Sequence, residues 1–565
     1  MNTLPHIIHQ IALEEPNRIS IIFQQRGKPD QVITYSDLYR NARRFSCILR
    51  ENAIYPGEVV IIVLQHCREL IEFFFGAMFA GAIPSIMPFL TEKLSPEHYR
   101  KSLRALIDVI RPAAVITYHE FVGEIQQATQ NSSIRKILIA EELPLSGFEV
   151  NENLEPQRDP ESIALLQHSS GTTGLQKGVA LSHQAVLNQL DAYRKAIRLD
   201  SSDVIVSWLP LYHDMGLIAG FLMPILLKVP LVLMSPFDWV RSPILLMRAI
   251  HQYHGTLTWL PNFAYNFCAQ KIRTSDMEGI NLSSMRAFIN CSEPMMYSSH
   301  EMFLQRFQPY GVKANSLATC YAMAENVFAV SQDGIDKPIT LDWIDRKGLL
   351  VDKVAQPRPQ GNESICMVSA GKPIENTLVK ILNDKRDELP ERTIGEIAIQ
   401  SNCMLSGYFQ RPDLTQAAFH DGWYLTGDLG YLANGELFIT GRKKDLIIVG
   451  GKNIYPQDIE RIAGEVQGVY PGRVVAFGVL DERMGTEEVV VVAETEEHDP
   501  KQRLEIAHQI CYQVNRSSDI VLRKAILVNR GWLLKTSSGK IARSANREKY
   551  LREFQQPERL ETSTD

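Results

Sequence analysis

The chain has 565 residues, 45% hydrophobic and 22% charged, with 59 Lys plus Arg against 65 Asp plus Glu and a formal net charge of −6. Such a chain can bury a large core without disulfide or metal staples, and its length suggests about three or four folding units. These values exclude a disordered or coiled-coil chain, and the slightly acidic balance argues against a dedicated nucleic-acid binder.

Met1 to Ile22 carries Glu14 and Glu15 and no basic n-region, so no signal peptide is expected. Val32 to Tyr35 reads as a strand. Ser36 is placed to cap the helix in which Leu38, Ala42, Phe45 and Leu49 recur. Val59 to Leu64 is a continuous apolar run, as expected of a strand covered on both faces. Phe73 to Leu90 lacks a formal charge, but Gly76, Gly81, Pro84 and Pro88 favour a helix followed by a buried strand over a membrane span. Ala113 to Thr117, Lys136 to Ala140 and Ser162 to Gln167 continue the strand–helix alternation of an α/β fold with largely parallel sheets. Eight scattered cysteines with no CxxC pair read as thiols in a reducing cytoplasm.

From Gly371 onward short strands and glycines dominate: Leu378 to Leu382, Gly395 to Gln400, Gly435 to Thr440. The charged tetrad Arg442-Lys443-Lys444-Asp445 precedes the strand Leu446 to Val449. Strands Val474 to Val479, Glu488 to Ala493 and Ala525 to Val528, with a helix near Pro500 to Val514, suffice for a compact α+β domain. The expected architecture is therefore α/β. A large N-terminal domain, 1–443, has parallel-rich sheets flanked by helices and includes a β-rich subdomain at about 371–440. A small mobile α+β C-terminal domain follows, 444–565. Gln555 to Asp565 reads as a polar tail.

The most informative segment runs from Leu166 to Gly178. Gly171, Gly174 and Gly178 permit tight turns and close backbone approach. Ser169, Ser170, Thr172 and Thr173 supply hydroxyls, and Lys177 supplies a positive charge. Together they form a cradle for a polyphosphate. It is not a Walker A loop, which needs Gly-Lys-Ser/Thr after four spacer residues.

This loop resembles the signature loop of the ANL superfamily of adenylate-forming enzymes, and further blocks follow in that family's order. They are Tyr321-Ala-Met-Ala-Glu325, Tyr424-Leu-Thr-Gly-Asp428, Gly441-Arg-Lys-Lys444-Asp and Thr536-Ser-Ser-Gly-Lys540-Ile. The resemblance implies ATP and Mg²⁺ and assigns roles. Lys540 is the catalytic cation and His213 a gate that positions the carboxylate. Glu325, with Thr172, holds Mg²⁺, while Asp428 and Arg442 hold the ribose. Tyr321, Ala322 and Met323 lie on one side of the adenine, with Ser292, Glu293 and Pro294 on the other. Lys444 is the hinge.

Trp208 to Gly216, Pro261 to Phe267, Ser292 to Pro294 and Asn453 to Glu460 resemble the fatty acyl-AMP ligase branch. An insertion within about 333–369 matches one that disfavours coenzyme A in that branch. The implied activity joins a medium- or long-chain fatty acid to AMP, then transfers the acyl group to a holo acyl carrier protein or to a carrier domain of a polyketide or nonribosomal peptide system. A coenzyme A ligase and a non-catalytic acyl-adenylate-binding protein are the alternatives. Met215, Ile218, Phe237, Trp239 and Phe263 are candidates for the acyl wall. Ala322, Gln176, Leu534 and Ser292 depart from the family's usual residues without removing a charged group.

Overall fold

Six adjacent parallel strands form the middle of the largest sheet: Ile19–Gln24, Leu231–Met234, Ile205–Ser207, Leu257–Leu260, Ala287–Cys291 and Leu317–Ala322. They are short and almost wholly buried, as strands covered on both faces must be. Antiparallel strands complete the sheet at both edges, Gln31–Thr34 at one and Ala329–Asp333 with Lys372–Pro373 at the other. The computed structural model describes residues 3–89, 96–143, 159–169, 177–449, 452–481, 486–517, 521–536 and 539–554.

A second, four-stranded parallel sheet runs in the order Ile83–Ile86, Val59–Ile62, Ala114–Thr117, Lys136–Ile139. Pro84 sits on its edge strand, where the missing N–H breaks no ladder. The apolar stretch after Phe73 is a buried helix, Arg68–Ala80, followed by that edge strand; Leu90 lies outside the described residues. Among the described residues no helix is long and apolar enough to cross a membrane.

Two details differ from the sequence reading. The helix Tyr35–Glu51 is capped by Thr34, not Ser36: the Thr34 hydroxyl accepts the Asp37 amide at 3.1 Å while the Asp37 carboxylate accepts the Thr34 amide at 3.3 Å. The strands Ile163–Ser169 and Lys177–Ser182 are antiparallel, because a connection this short cannot carry a parallel crossover. Gly407–Tyr408 pairs with the second of them.

From Thr377 to Arg442 the sheet is antiparallel, with strands ordered Thr377–Leu382, Gly395–Ser401, Trp423–Ala433, and Glu436–Arg442 paired with the last. Between 333 and 371 a hairpin, Leu341–Asp345 with Ser364–Val368, packs Ile344 and Leu349 into one core with Tyr431, Phe438 and Tyr455. The C-terminal part has a three-stranded sheet, Val474–Asp481, Thr486–Thr495 and Ala525–Asn529. Alternate residues face two cores: Val474 and Ala476 on one side, Val475, Phe477 and Val479 on the other.

Gly371 turns the hairpin back onto the main sheet at φ +99°, and a β-carbon there would lie 2.0 Å from the Gln332 carbonyl carbon. Both left-handed strain and a backbone clash oppose any side chain. Gly371→Ala should cost about 2–3 kcal/mol of stability, read from the urea midpoint at unchanged m-value.

Three histidines are buried neutral in the N-terminal core. Burial lowers His66, His168 and His300 to about 4 each. His66 Nε2 lies 3.2 Å from the Leu209 carbonyl, an acceptor that fixes the Nε2–H tautomer. Between the folded value near 4 and the unfolded 6.5, the unfolded chain takes up protons that the folded chain does not. Stability from each histidine is therefore complete above 6.5 and is lost as pH falls toward 4, on the order of 1.4 kcal/mol per pH unit. His66→Gln keeps a donor for Leu209 and cannot titrate. Urea unfolding between pH 6.5 and 4.5 should show a dependence shallower than wild type by about one proton; an unchanged slope would mean that His66 is not buried neutral.

Candidate active site

Parallel strands deliver their carboxyl ends to one edge of a sheet, and ligands of open α/β sheets bind there. Here the segments leaving those ends carry most of the residues singled out from the sequence. Trp208 follows Ile205–Ser207, Trp239 follows Leu231–Met234, Phe263 follows Leu257–Leu260, and Ser292 follows Ala287–Cys291. Tyr321 to Glu325 ends the strand Leu317–Ala322.

Tyr321 and the hairpin formed by Trp423–Ala433 and Glu436–Arg442 meet at Asp428. The register sets Asp428 opposite Arg442. Asp428 Oδ2 accepts the Tyr321 hydroxyl at 2.7 Å, and its Oδ1 lies 3.1 Å from Arg442 Nε. Each carboxylate oxygen has a second lone pair, so acceptor capacity for two hydroxyls remains. Burial and Asp428 push the Tyr321 phenol well above its ordinary range, which keeps it a donor. Ala322 and Met323 are half-buried just beyond.

Glu325 lies on a single 3₁₀ turn, Ala324–Asn326. Its Oε1 accepts the Tyr408 hydroxyl at 2.9 Å, and Tyr408 in turn meets the Tyr424 hydroxyl at 2.9 Å. Lys177 Nζ stands 4.6 Å from the centre of the Tyr408 ring, a cation–π contact that fixes the amine beside Glu325. Burial raises the Glu325 carboxyl, and Asp214 adds to the rise while Lys177 opposes it. A cation at this carboxylate would relieve that burden. Among the described residues no group of three metal-ligating side chains exists. Mg²⁺ binds in this manner, with one or two protein carboxylates and the remaining ligands from phosphate and water, so Glu325 fits it.

His213 and Asp214 precede the π-helical segment Met215–Leu222. That segment packs so closely that a β-carbon at Gly216 would lie 2.2 Å from the Pro210 carbonyl oxygen. His213 falls to about 3, by burial first and then by the charge of Lys540. Asp214 is raised by burial and held back by that same amine. The charge of Lys540 is therefore felt at His213 and Asp214, although they are more than 300 residues apart in sequence. His213 Nε2 is enclosed and has no hydrogen-bond partner among the described residues. An imidazole whose basicity is lowered this far is a weak general base, so positioning suits it better.

Lys540 lies on a tight hairpin. The Thr536 amide donates to the Lys540 carbonyl at 2.7 Å, and the Ala542 amide to the Leu534 carbonyl at 3.0 Å. The buried Asn546 clamps its base, donating to the Leu534 and Ala542 carbonyls at 2.8 and 2.9 Å and accepting the Leu534 amide at 2.8 Å.

The apolar candidates divide. Trp239 stacks on Trp208 at 3.5 Å and 8°, and Phe263 meets both edge-on at 6.2 and 6.4 Å. Met215 and Ile218 are buried in the same core. Phe237 instead packs on Phe89 in the core of the four-stranded sheet. Ser292 takes a left-handed φ of +71° and lies 3.9 Å from the Met215 sulfur. Glu293 accepts the Phe263 amide at 2.8 Å and so caps the helix Asn262–Lys271, while Pro294 is exposed. Ser169 ends its strand in register with Lys177. Ser170, Gly171, Thr172, Thr173 and Gly174 lie outside the described residues.

Asp214 and Tyr408 were not singled out from the sequence. A charged residue inside an apolar run marks Asp214. Nothing local marks Tyr408, whose partner Glu325 is 83 residues away.

The family model of AMP-binding enzymes matches residues 8–409. The 4-hydroxyphenylalkanoate adenylyltransferase of Mycobacterium tuberculosis is 30% identical over 97% of this chain and 92% of its own. The medium-chain-fatty-acid acyl-carrier-protein ligase JamA of Moorena producens is 29% identical over 97% of this chain and 95% of its own. A solved structure from a study of the fatty acyl-adenylate ligases of E. coli and L. pneumophila superposes with a TM-score of 0.89 at 27% identity, covering 98% of both chains. A match across most of the chain, in sequence and in fold, makes this protein a member of the AMP-binding enzyme family.

Proposed function

We propose that the protein activates a medium- or long-chain fatty acid with ATP, releasing pyrophosphate, and passes the acyl group from acyl-AMP to the phosphopantetheine thiol of an acyl carrier protein. The observation that carries this reading is the pair of polar sets, Tyr321–Asp428–Arg442 and Glu325–Tyr408–Lys177, with the charge of Lys540 felt at His213 and Asp214. Carboxylate and triphosphate repel each other, so the first step needs fixed cations and alignment. Lys540 and Lys177 supply positive charge, and the glycine- and hydroxyl-rich sequence from Ser169 to Gly174 suits a phosphate cradle. Asp428 and Arg442 orient the ribose, with Tyr321, Ala322 and Met323 on one side of the base and Ser292 to Pro294 on the other. Glu325, with Thr172, would hold Mg²⁺, which when bound neutralises phosphate charge. His213 positions the fatty carboxylate, and Trp239, Phe263, Met215 and Ile218 receive the chain. The name of the relative JamA, and the hairpin packed against Tyr455, favour a carrier protein over coenzyme A. Eight free thiols support a cytoplasmic setting.

The test is mass spectrometry of products from a panel of free fatty acids, ATP and Mg²⁺, with coenzyme A and a phosphopantetheinylated carrier protein offered separately. Carrier protein acylated on its phosphopantetheine thiol, with release of AMP, is the expected product; acyl-CoA alone overturns the choice of acceptor. Lys540→Ala should slow pyrophosphate release by about 10²–10³-fold, the cost of one transition-state donor, with folding intact.

The chain divides, in this reading, into a body of residues 1–443 and a lid of residues 444–565 that rotates between the two steps. Proline fixes φ and so cannot serve as the pivot. Lys444→Pro should keep adenylate formation within about tenfold and lose thioester transfer. Equal loss of both half-reactions, measured separately, places the pivot elsewhere.

A further inference from the structure

Arg543 follows the Lys540 hairpin directly, as the first residue of the helix Arg543–Phe554. Its guanidinium reaches two other elements. Its terminal nitrogens lie 2.6 Å from Asp445 Oδ2 and 2.8 and 2.9 Å from the two Glu460 oxygens, with Nε 3.1 Å from Glu460 Oε1. Asp445 ends the turn Lys443–Asp445, and Glu460 lies on the helix Pro456–Gly464. The three side chains are only 13–18% exposed. Glu460 Oε1 also accepts the Ala476 amide at 3.0 Å, so this fork is built into the C-terminal sheet. A planar fork with two carboxylates is a contact that lysine cannot reproduce.

Lys443 makes the opposite connection. Its amine lies 3.0 Å from Asp384 and 3.2 Å from Glu396, on the β-rich part of the large body. In one three-residue turn, the first residue is tied to the body and the third to the base of the Lys540 hairpin.

We propose that Arg543 is a positioning residue for adenylation. Through Asp445 it fixes the Lys540 hairpin to the turn about which the lid moves, so that Lys540 is delivered to the reacting carboxylate and phosphate in one fixed position. This rests on Lys540 being the cation of the first step. The consequence is asymmetric. Loosening the fork misplaces Lys540 and slows adenylation, whereas transfer of an already formed acyl-adenylate to a thiol does not use Lys540.

The experiment uses full-length Asp445→Asn, Arg543→Lys and Lys540→Ala. Adenylation is followed by pyrophosphate exchange, and transfer by thioester formation from supplied acyl-adenylate and holo carrier protein. Asp445→Asn leaves the Arg543–Glu460 pair in place, so it carries the test if Arg543→Lys does not fold. Both should lower the turnover of adenylation by at least about tenfold, with the KM for ATP and the transfer rate within about threefold of wild type. Wild-type adenylation by the folded variants, or equal loss of both half-reactions, overturns the role of Arg543 while a dead Lys540→Ala leaves the reading of Lys540 standing. An active Lys540→Ala removes that reading and this inference with it.

Discussion

Strands that run parallel in one sheet must end on the same edge, and everything else in this molecule is arranged around that constraint. Helices and loops leaving those ends have one place to go. Trp208, Trp239, Phe263, Ser292 and Tyr321 are therefore neighbours although 113 residues separate the first from the last. The antiparallel edge strand Ala329–Asp333 then turns the chain back. That turn carries Glu325 and leads the chain into the β-rich part, whose long hairpin presents Asp428 and Arg442 to Tyr321. The site is built by topology first and by side-chain chemistry second.

Electrostatics explains why those side chains tolerate burial. Asp214 and Glu325 are both driven toward protonation by burial, and each is partly relieved by a lysine from a different element, Lys540 for the first and Lys177 for the second. Neither lysine belongs to the large parallel sheet. Lys177 opens a strand of the small antiparallel sheet, and Lys540 comes from the C-terminal hairpin. The carboxylates alone form an unfavourable cluster, and the cations that balance them arrive only when three structural units meet. The charges of such a site are balanced only when all three units are together.

How much of this was legible in the sequence depended on whether the signal was local. Val59 to Leu64 and the strands after Leu446 were readable because continuous or alternating apolar runs have few other uses. The helix–strand reading of the uncharged stretch from Phe73 worked because proline and glycine punctuate it. The cap at Thr34 was missed by two residues, since Thr and Ser are equivalent caps and only the reciprocal Asp37 bond selects between them. The motif residues Tyr321, Asp428 and Arg442 do converge. Glu293, by contrast, is engaged in capping a helix, and Phe237, two residues from Trp239, faces a different core. Tyr408 and Arg543 were invisible because a tyrosine or arginine acquires its meaning from partners that only the fold brings near.

The hairpin between 341 and 368 places a mechanical condition on any motion about Lys444. Tyr455, eleven residues beyond that lysine, is buried in a core that includes Ile344 and Leu349 of the hairpin and Tyr431 and Phe438 of the β-rich part. Arg346 of the same hairpin donates to the Ser517 carbonyl at the end of the helix Pro500–Ser517. A rotation that carries Tyr455 with the C-terminal sheet must empty part of that core. Exposing one aromatic side chain costs about 1.5–3 kcal/mol, enough to shift a two-state equilibrium by roughly ten- to a hundredfold. A partner that binds only the rotated form has to supply that difference. A large protein surface can do so through contacts outside the pocket, whereas coenzyme A has only its nucleotide end with which to make such contacts. Under the proposed rotation about Lys444, the stability of this hydrophobic core would contribute to the choice of acceptor.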